Sequence, residues 1–388
     1  MLSVMHKKAS KMYLILILFI TSILIAVVVV FSIPPLVVHK DGDRNNKINK
    51  LHNWLNKLHS RGKFNGVVLL SVDGDVVLRR AYGFADVDDK KHLNEHSSFN
   101  LASVSKQFVA AGVVLLKHQG KLSYADKLGE YIPELSFYGE ITIRHLLNHT
   151  SGIPDYLKLA SDSLNESEIV TVPKLIAIYA SKKPQTRFRP GEKFEYNNMG
   201  YVLLAEIIER VTNMKFSAFM EKNIFQPLGM THTTVFNLLS ENEPENRVYG
   251  FRREFYLFGR KVLRDLNRFD GVVGDGGIYS CAYDLFVWHK ALLAGNLIPV
   301  EEMAEAYRSG FLNNGKKTGY GFGWFINDDG SVEHAGGWQG FATYFWRDLS
   351  TGHMIVVLDN SGNIFRVTSN GVRYNSIPLN LKSFIYEF

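Results

Sequence analysis

Apolar residues recur at Ile48, Leu51, Leu55 and Leu58, a helical spacing that predicts a first amphipathic helix. The period then changes to that of strands. Phe64 to Ser71 and Val76 to Tyr82 are rich in β-branched and aromatic residues on either side of Asp73-Gly74, which predicts a hairpin with a tight turn. A second helical pattern opens at Ser103 and runs to about Gln119, where Gly120 stops it. Lys121 to Ser240 is mostly helical with long loops, and Ser161 to Lys183 reads as a variable excursion. Alternation and aromatics return from Tyr320 to Asp359. At least three strands are expected there, two of them at Tyr320 to Ile326 and Phe341 to Trp346. Strands at both ends with helices between them require distant segments to pair in one antiparallel sheet, so the fold class is α+β.

The amino-terminal pattern differs. Leu14 to Phe31 is apolar except for Thr21 and Ser22, and as a helix it would span about 27 Å, close to a hydrocarbon core. No small-x-small cleavage site follows it before Pro34-Pro35, so an uncleaved membrane anchor is the reading rather than a signal peptide. The expected organisation is a basic segment at 1–11, a transmembrane anchor at 12–38, a polar tether at 39–46 and a folded region at 47–388. Lysines and arginines flank the apolar run on both sides, so the positive-inside rule gives no orientation.

Of the formal charge of +6, three charges come from Lys7, Lys8 and Lys11. What remains is too mild for a nucleic-acid surface. The single cysteine, Cys281, excludes an internal disulfide and a cysteine-based zinc site, and reads as a packing residue.

Candidate chemistry begins at Leu101-Ala-Ser-Val-Ser-Lys-Gln-Phe108. Ser103 and Lys106 sit at i and i+3 on one helix face, where an amine can take the proton of a serine nucleophile. The helix amino terminus favours negative charge developing beside it. A second motif is Tyr196-Asn197-Asn198, before the helical run Gly200 to Val211. A third, His334-Ala335-Gly336-Gly337, lies between the two strand candidates.

Ser-x-x-Lys, Tyr-x-Asn and a basic residue with x-Gly, in this order, resemble the serine β-lactamase and penicillin-binding-protein superfamily. The likeness is greatest to its class C-like branch of D-aminopeptidases, carboxypeptidases and esterases. Supporting blocks are Ile141 to Tyr156, Phe225 to Met230 and Gly276 to Ser280, and the resemblance covers roughly residues 45 to 360. It implies a β-lactamase/transpeptidase-like fold, with the nucleophile at the seam between the sheet and an all-helical region. It implies an acyl-enzyme on Ser103, Lys106 as proton acceptor or relay, and Tyr196 as the second base. Asn198 would hold Lys106 and a substrate carbonyl, and the amides of Ser103 and Gly337 would form the oxyanion hole. Ser105 carries no role in the family. No metal or organic cofactor is implied, and the partner is a small-molecule or peptide substrate. An extracytoplasmic domain follows from the family being exported.

Lys317-Thr318-Gly319 spells the penicillin-binding version of the third motif. The preferred register is nevertheless His334, because a Tyr-Gly-x-Gly-Trp strand precedes His-x-Gly in related esterases and peptidases. Gly336 and Gly337 then suit an edge where backbone approaches substrate. Titratable His334 and apolar Ala335 in place of lysine and threonine weaken carboxylate recognition, and predict a pH dependence near the histidine range. Ester or amide hydrolysis is thus favoured over lactamase or D-Ala-D-Ala carboxypeptidase activity. An acylated sensor without turnover is the alternative of another class. His145 and His149 have metal-like spacing, but the glutamate of a zinc motif is missing beside the first.

Overall fold

The computed structural model describes residues 35–37, 43–255, 258–368, 371–374 and 376–388. The apolar run Leu14 to Phe31 lies outside them. Among the described residues no helix is long and apolar enough to cross a membrane.

The first helix, α1, is Arg44–Ser60, with Asp43 accepting the amides of Asn45 and Asn46 as its cap. It therefore begins inside the stretch read as a tether at 39–46. The hairpin forms as β1, Gly66–Val72, and β2, Asp75–Tyr82. Asp73 and Gly74 both have positive φ, 51° and 82°, the conformation that a two-residue turn needs to match strand twist. Four later strands join them: β3, Phe325–Ile326; β4, Val332–Trp338; β5, Phe341–Arg347; and β6, Met354–Asp359.

Together they make one six-stranded sheet in the order β2-β1-β6-β5-β4-β3. Sequence-distant segments meet inside it, where β1 runs antiparallel to β6 with Gly66 opposite Asp359 and Leu70 opposite Ile355. Close approach fixes Gly66, since a Cβ there would lie 1.9 Å from the Leu358 carbonyl oxygen. β3 pairs only with Val332 and Glu333. The rest of β4, from His334 onward, is thereby left as a free edge beside the nucleophile segment.

The expected strand over Tyr320 to Ile326 is mostly a loop, and only Phe325–Ile326 is extended in the sheet. Its glycines account for the difference. A Cβ on Gly321 would meet the Ala306 carbonyl oxygen at 2.1 Å, and one on Gly323 (φ +78°) would meet Gln107 Cα at 2.6 Å. The segment is thus pressed against two helices rather than laid along a neighbouring strand.

The helix predicted from Ser103 starts as a 3-10 turn, Ala102–Ser105, and becomes the α-helix α2 at Lys106–His118. Every residue from Lys106 to Leu116 is buried, as expected of a helix apolar on all sides. It packs on α3, Asn198–Thr212. Gly112 permits the contact: a Cβ there would lie 3.0 Å from Ile208 Cδ1 and 3.1 Å from Phe219 Cε1. Phe108, Val113 and Leu116 are fully buried in the same core, each contributing about 1.5–3 kcal/mol of apolar burial. A further helix, Val172–Lys182, capped by Thr171, lies within the variable stretch 161–183. Cys281 is buried, its Sγ accepts the Asp284 amide at 3.4 Å, and burial pushes its thiol up to about 12. Val38–Phe388 forms one compact unit.

Candidate active site

Local backbone geometry places Ser103. Phe99–Asn100 pairs with Ile278–Ser280, Leu101 N donates to the Ile278 carbonyl at 2.9 Å, and Asn100 Oδ1 accepts the Ala102 amide at 2.8 Å. Ala102 is held at φ +47°, a left-handed conformation that costs a non-glycine residue and persists only where the surroundings impose it. The next residue is Ser103, at the start of the helical turn. Ser105 also has work here, because its Oγ accepts the Ile278 amide at 3.3 Å and so ties the turn to the same strand.

Lys106 is completely buried. Its Nζ donates to Ser103 Oγ at 3.1 Å, to Asn198 Oδ1 at 3.0 Å and to the Asp275 carbonyl at 2.8 Å. Those three acceptors match the three hydrogens of an ammonium. Asn198 is in turn braced through its amide, which donates to Asp155 Oδ2 at 2.9 Å. Asn197, the middle residue of the motif, caps α3 by accepting the Gly200 amide and anchors its side chain on the Ile153 carbonyl.

Tyr196 stands on the other side of the amine, its ring 5.1 Å from Lys106 Nζ. Its ring lies parallel to Phe325, 6.3 Å away, and 4.4 Å from His149. The Tyr196 hydroxyl is buried and without a hydrogen-bond partner among the described residues. Such an orphan costs stability and supplies a polar group to whatever binds beside it.

His334 lies behind this group. Its Nε2 is 3.0 Å from the Tyr320 hydroxyl and its Nδ1 is 2.7 Å from the Ala335 carbonyl. Desolvation, together with the Lys106 charge, pushes it down to about 3. The neutral ring then donates from Nδ1 and accepts from Tyr320. The expected titration near neutral pH is therefore overturned by burial. Gly336 is pressed on the nucleophile: a Cβ there would lie 2.2 Å from the Leu101 carbonyl oxygen and 3.0 Å from Ser103 N. Gly337, next on the free edge of β4, is exposed and lines one cavity with Ser103, Asn198, Tyr156, Asp270 and Asp275.

Lys317 is exposed in the loop before Tyr320, where it bridges Phe311. His145 closes a helix cap with Thr142. His149 is fully buried, accepts the Asn197 amide on Nδ1 at 3.1 Å, and is held well below the ordinary histidine value by burial and the Lys106 charge.

Motif reading missed the acids around the cavity. Asp155 and Tyr156 end one supporting block and Asp275 immediately precedes another, so their neighbourhood was the available signal. Burial raises Asp275 above the ordinary carboxylate value, and brings Asp270 up to about 7. Asp270 also accepts the Trp338 indole hydrogen at 2.7 Å.

The sequence profile of the family described as Beta-lactamase matches residues 51–370. Penicillin-binding protein 4* of Bacillus subtilis is 34% identical over 329 residues, 82% of this chain and 72% of the relative. Among solved structures, the octameric penicillin-binding protein homologue from Pyrococcus abyssi superposes with a TM-score of 0.70 at 27% identity, covering 81% of this chain and 74% of its own. The D-amino acid amidase from Ochrobactrum anthropi gives 0.68 at 25% identity, covering 82% and 92%. With the α+β fold, these similarities decide the classification: the chain belongs to the Beta-lactamase family and is a serine hydrolase of the β-lactamase-related type.

Proposed function

We propose that the chain hydrolyses an ester or amide bond through an acyl-enzyme on Ser103. The observation that carries this reading is the 3.1 Å contact between Lys106 Nζ and Ser103 Oγ. With one proton removed, the amine accepts the serine proton along that line while Oγ attacks the carbonyl carbon. The amides of Ser103 and Gly337 stabilise the oxyanion. Tyr196, beside Lys106, passes a proton to the departing alcohol or amine, and later takes one from the water that attacks the acyl carbon. Asn198, which also lines the cavity, holds the amine in place through its side-chain oxygen.

The cavity favours a neutral or cationic substrate over a carboxylate. Its acids are Asp270 and Asp275, while His334 is neutral and both its nitrogens are engaged within the protein. Lys106 has all three hydrogens engaged. An aminoacyl amide, the ligand class named for the Ochrobactrum neighbour, suits this lining better than a penicillin. The family relationship and the apolar run Leu14 to Phe31 together support a membrane-anchored enzyme with its domain on the extracytoplasmic side.

The test is a panel of p-nitrophenyl acetate, D-phenylalanine amide and nitrocefin. Turnover of the ester or the amide with little of nitrocefin is expected. Dominant nitrocefin hydrolysis overturns the substrate assignment, and stoichiometric acylation without recovery of free enzyme overturns hydrolysis in favour of a sensor.

A further inference from the structure

Two of the three acceptors on Lys106 are themselves held by consecutive residues of one loop. Asp155 Oδ2 accepts the amide of Asn198 at 2.9 Å, and the Tyr156 hydroxyl donates to Asp275 Oδ2 at 3.0 Å. Further contacts fix this segment. Asp155 caps the helix Tyr156–Ser161, the Asn197 side-chain amide donates to the Ile153 carbonyl at 2.8 Å, and the Tyr179 hydroxyl donates to the Pro154 carbonyl at 2.6 Å.

Asp275 is set with equal care from the other side. It follows Gly274, whose φ is +107° and where a Cβ would lie 2.5 Å from the Tyr201 carbonyl oxygen. Two residues later comes Gly277, also at positive φ, +81°. Glycine takes such a backbone without strain, and the resulting turn aims the Asp275 carbonyl at Lys106 while its carboxylate reaches Tyr156. Both Asp275 and Tyr156 line the cavity that holds Ser103.

We propose that Tyr156 and Asp275 form a positioning pair for Lys106, one that fixes the direction of its amine and supplies the nearby negative charge that governs how readily it gives up a proton. The proposal rests on the reading of Ser103 as nucleophile and Lys106 as its base. Around Asp275 the charged and titratable neighbours are Lys106, Tyr156, Asp155 and Asp270. Around Lys106 they are Asp275, His149, His334, Tyr196 and Tyr201. Both histidines are held below their ordinary value and remain neutral at working pH. Asp275 is thus the carboxylate among these neighbours, and it is coupled electrostatically to Lys106.

The sign follows from Coulomb attraction. An anion beside an ammonium holds its proton, so removing that anion lets the amine act as a base at lower pH. Loss of the Tyr156 hydroxyl instead releases the carboxylate from its orientation, and removing a hydrogen bond to a charged group slows the step it supports by roughly tenfold.

The experiment measures the rate of covalent labelling of the full chain by a fluorophosphonate as a function of pH, for wild type, Asp275→Asn, Tyr156→Phe and the double variant. Asp275→Asn is expected to move the acidic limb to lower pH. Tyr156→Phe is expected to slow labelling roughly tenfold, and the double variant to cost no more than the slower single one. A wild-type pH profile in Asp275→Asn, or additive losses in the double variant, overturns the proposal. Should Asp275→Asn fail to fold, Tyr156→Phe keeps its ring in place and decides by its rate, with wild-type labelling as the contrary result. Ser103→Ala is run alongside. Its failure to label with the pair inert sinks the pair alone, whereas wild-type labelling by Ser103→Ala sinks the nucleophile reading on which the pair rests.

Discussion

The Tyr320 hydroxyl lies 3.0 Å from His334 Nε2 while the Nδ1 of the same ring faces the Ala335 carbonyl at 2.7 Å. The residue at the basic position of the third motif is therefore a neutral strut between the loop before β3 and the strand that borders Ser103.

A strut has no ionisation to lose. Burial holds His334 at about 3, so His334→Ala is expected to lower kcat/KM by about 10²-fold without changing the shape of the pH profile across roughly pH 5.5 to 9. Lys317→Ala, in its exposed loop, leaves both rate and shape as they are. Steady-state kinetics on the two variants check this. Loss of a titration step in His334→Ala, or a crippled Lys317→Ala, contradicts it.

Tyr196 carries a buried hydroxyl with no partner among the described residues, and Tyr196→Phe removes it. The variant is expected to lose about 10²-fold in turnover, the scale of a missing acid-base group, while its thermal midpoint stays level or rises because an unsatisfied polar atom has gone. Calorimetry beside turnover assays separates the two effects. Equal losses of stability and rate mark the hydroxyl as structural instead.

Gly336 tests the seam between sheet and nucleophile. Gly336→Ala places a Cβ where the Leu101 carbonyl oxygen and Thr343 Oγ1 already stand, at 2.2 Å and 2.4 Å. Since neither backbone nor buried threonine can yield cheaply, acylation is expected to fall by about 10²-fold. Labelling rates measure it, and a near-normal rate means the strand edge does not set Ser103.

Local signals carried most of the fold. The change from helical to alternating period marked the hairpin, and Asp73-Gly74 named its turn. Ser103 and Lys106 were legible because one helical turn brings them together, and a 3.1 Å contact joins them. Asp275 left no such mark: it reaches Lys106 from 169 residues away and through a backbone carbonyl, which any residue type possesses. The neutrality of His334 was hidden for a related reason, because it depends on burial beneath Tyr320 and Phe325, a tertiary property. Tyr320 to Ile326 misled through its aromatic alternation, whereas Gly321 and Gly323 were the truer signal of close packing. The Val172–Lys182 helix had legible marks in Thr171 and Pro173, the residue types of a helix start.

His289 offers a stability test away from the site. It is fully buried, its Nδ1 accepts from Arg347 Nε at 2.9 Å and its Nε2 faces the Gly352 carbonyl at 3.0 Å. Desolvation and the Arg347 charge push it down to about 3. The unfolded chain protonates this histidine below about pH 6.5, the folded chain only near 3, so its contribution is complete above about 6.5 and is lost as pH falls. The loss is about 2 kcal/mol by about pH 5. Asp270 and Asp359, raised to about 7 and about 6, act in the opposite sense, so the comparison must be between variants. Urea melts of His289→Gln are expected to show a smaller loss than wild type between about pH 7 and pH 5. Parallel slopes contradict a buried neutral histidine.

The most direct test of the whole account is intact-mass analysis after incubation with a fluorophosphonate. Wild type is expected to gain a single phosphonyl adduct, mapped by peptide sequencing to Ser103, while Ser103→Ala of equal thermal stability gains none. Equal labelling of both proteins, or an adduct on another residue, contradicts the assignment of Ser103 as the nucleophile.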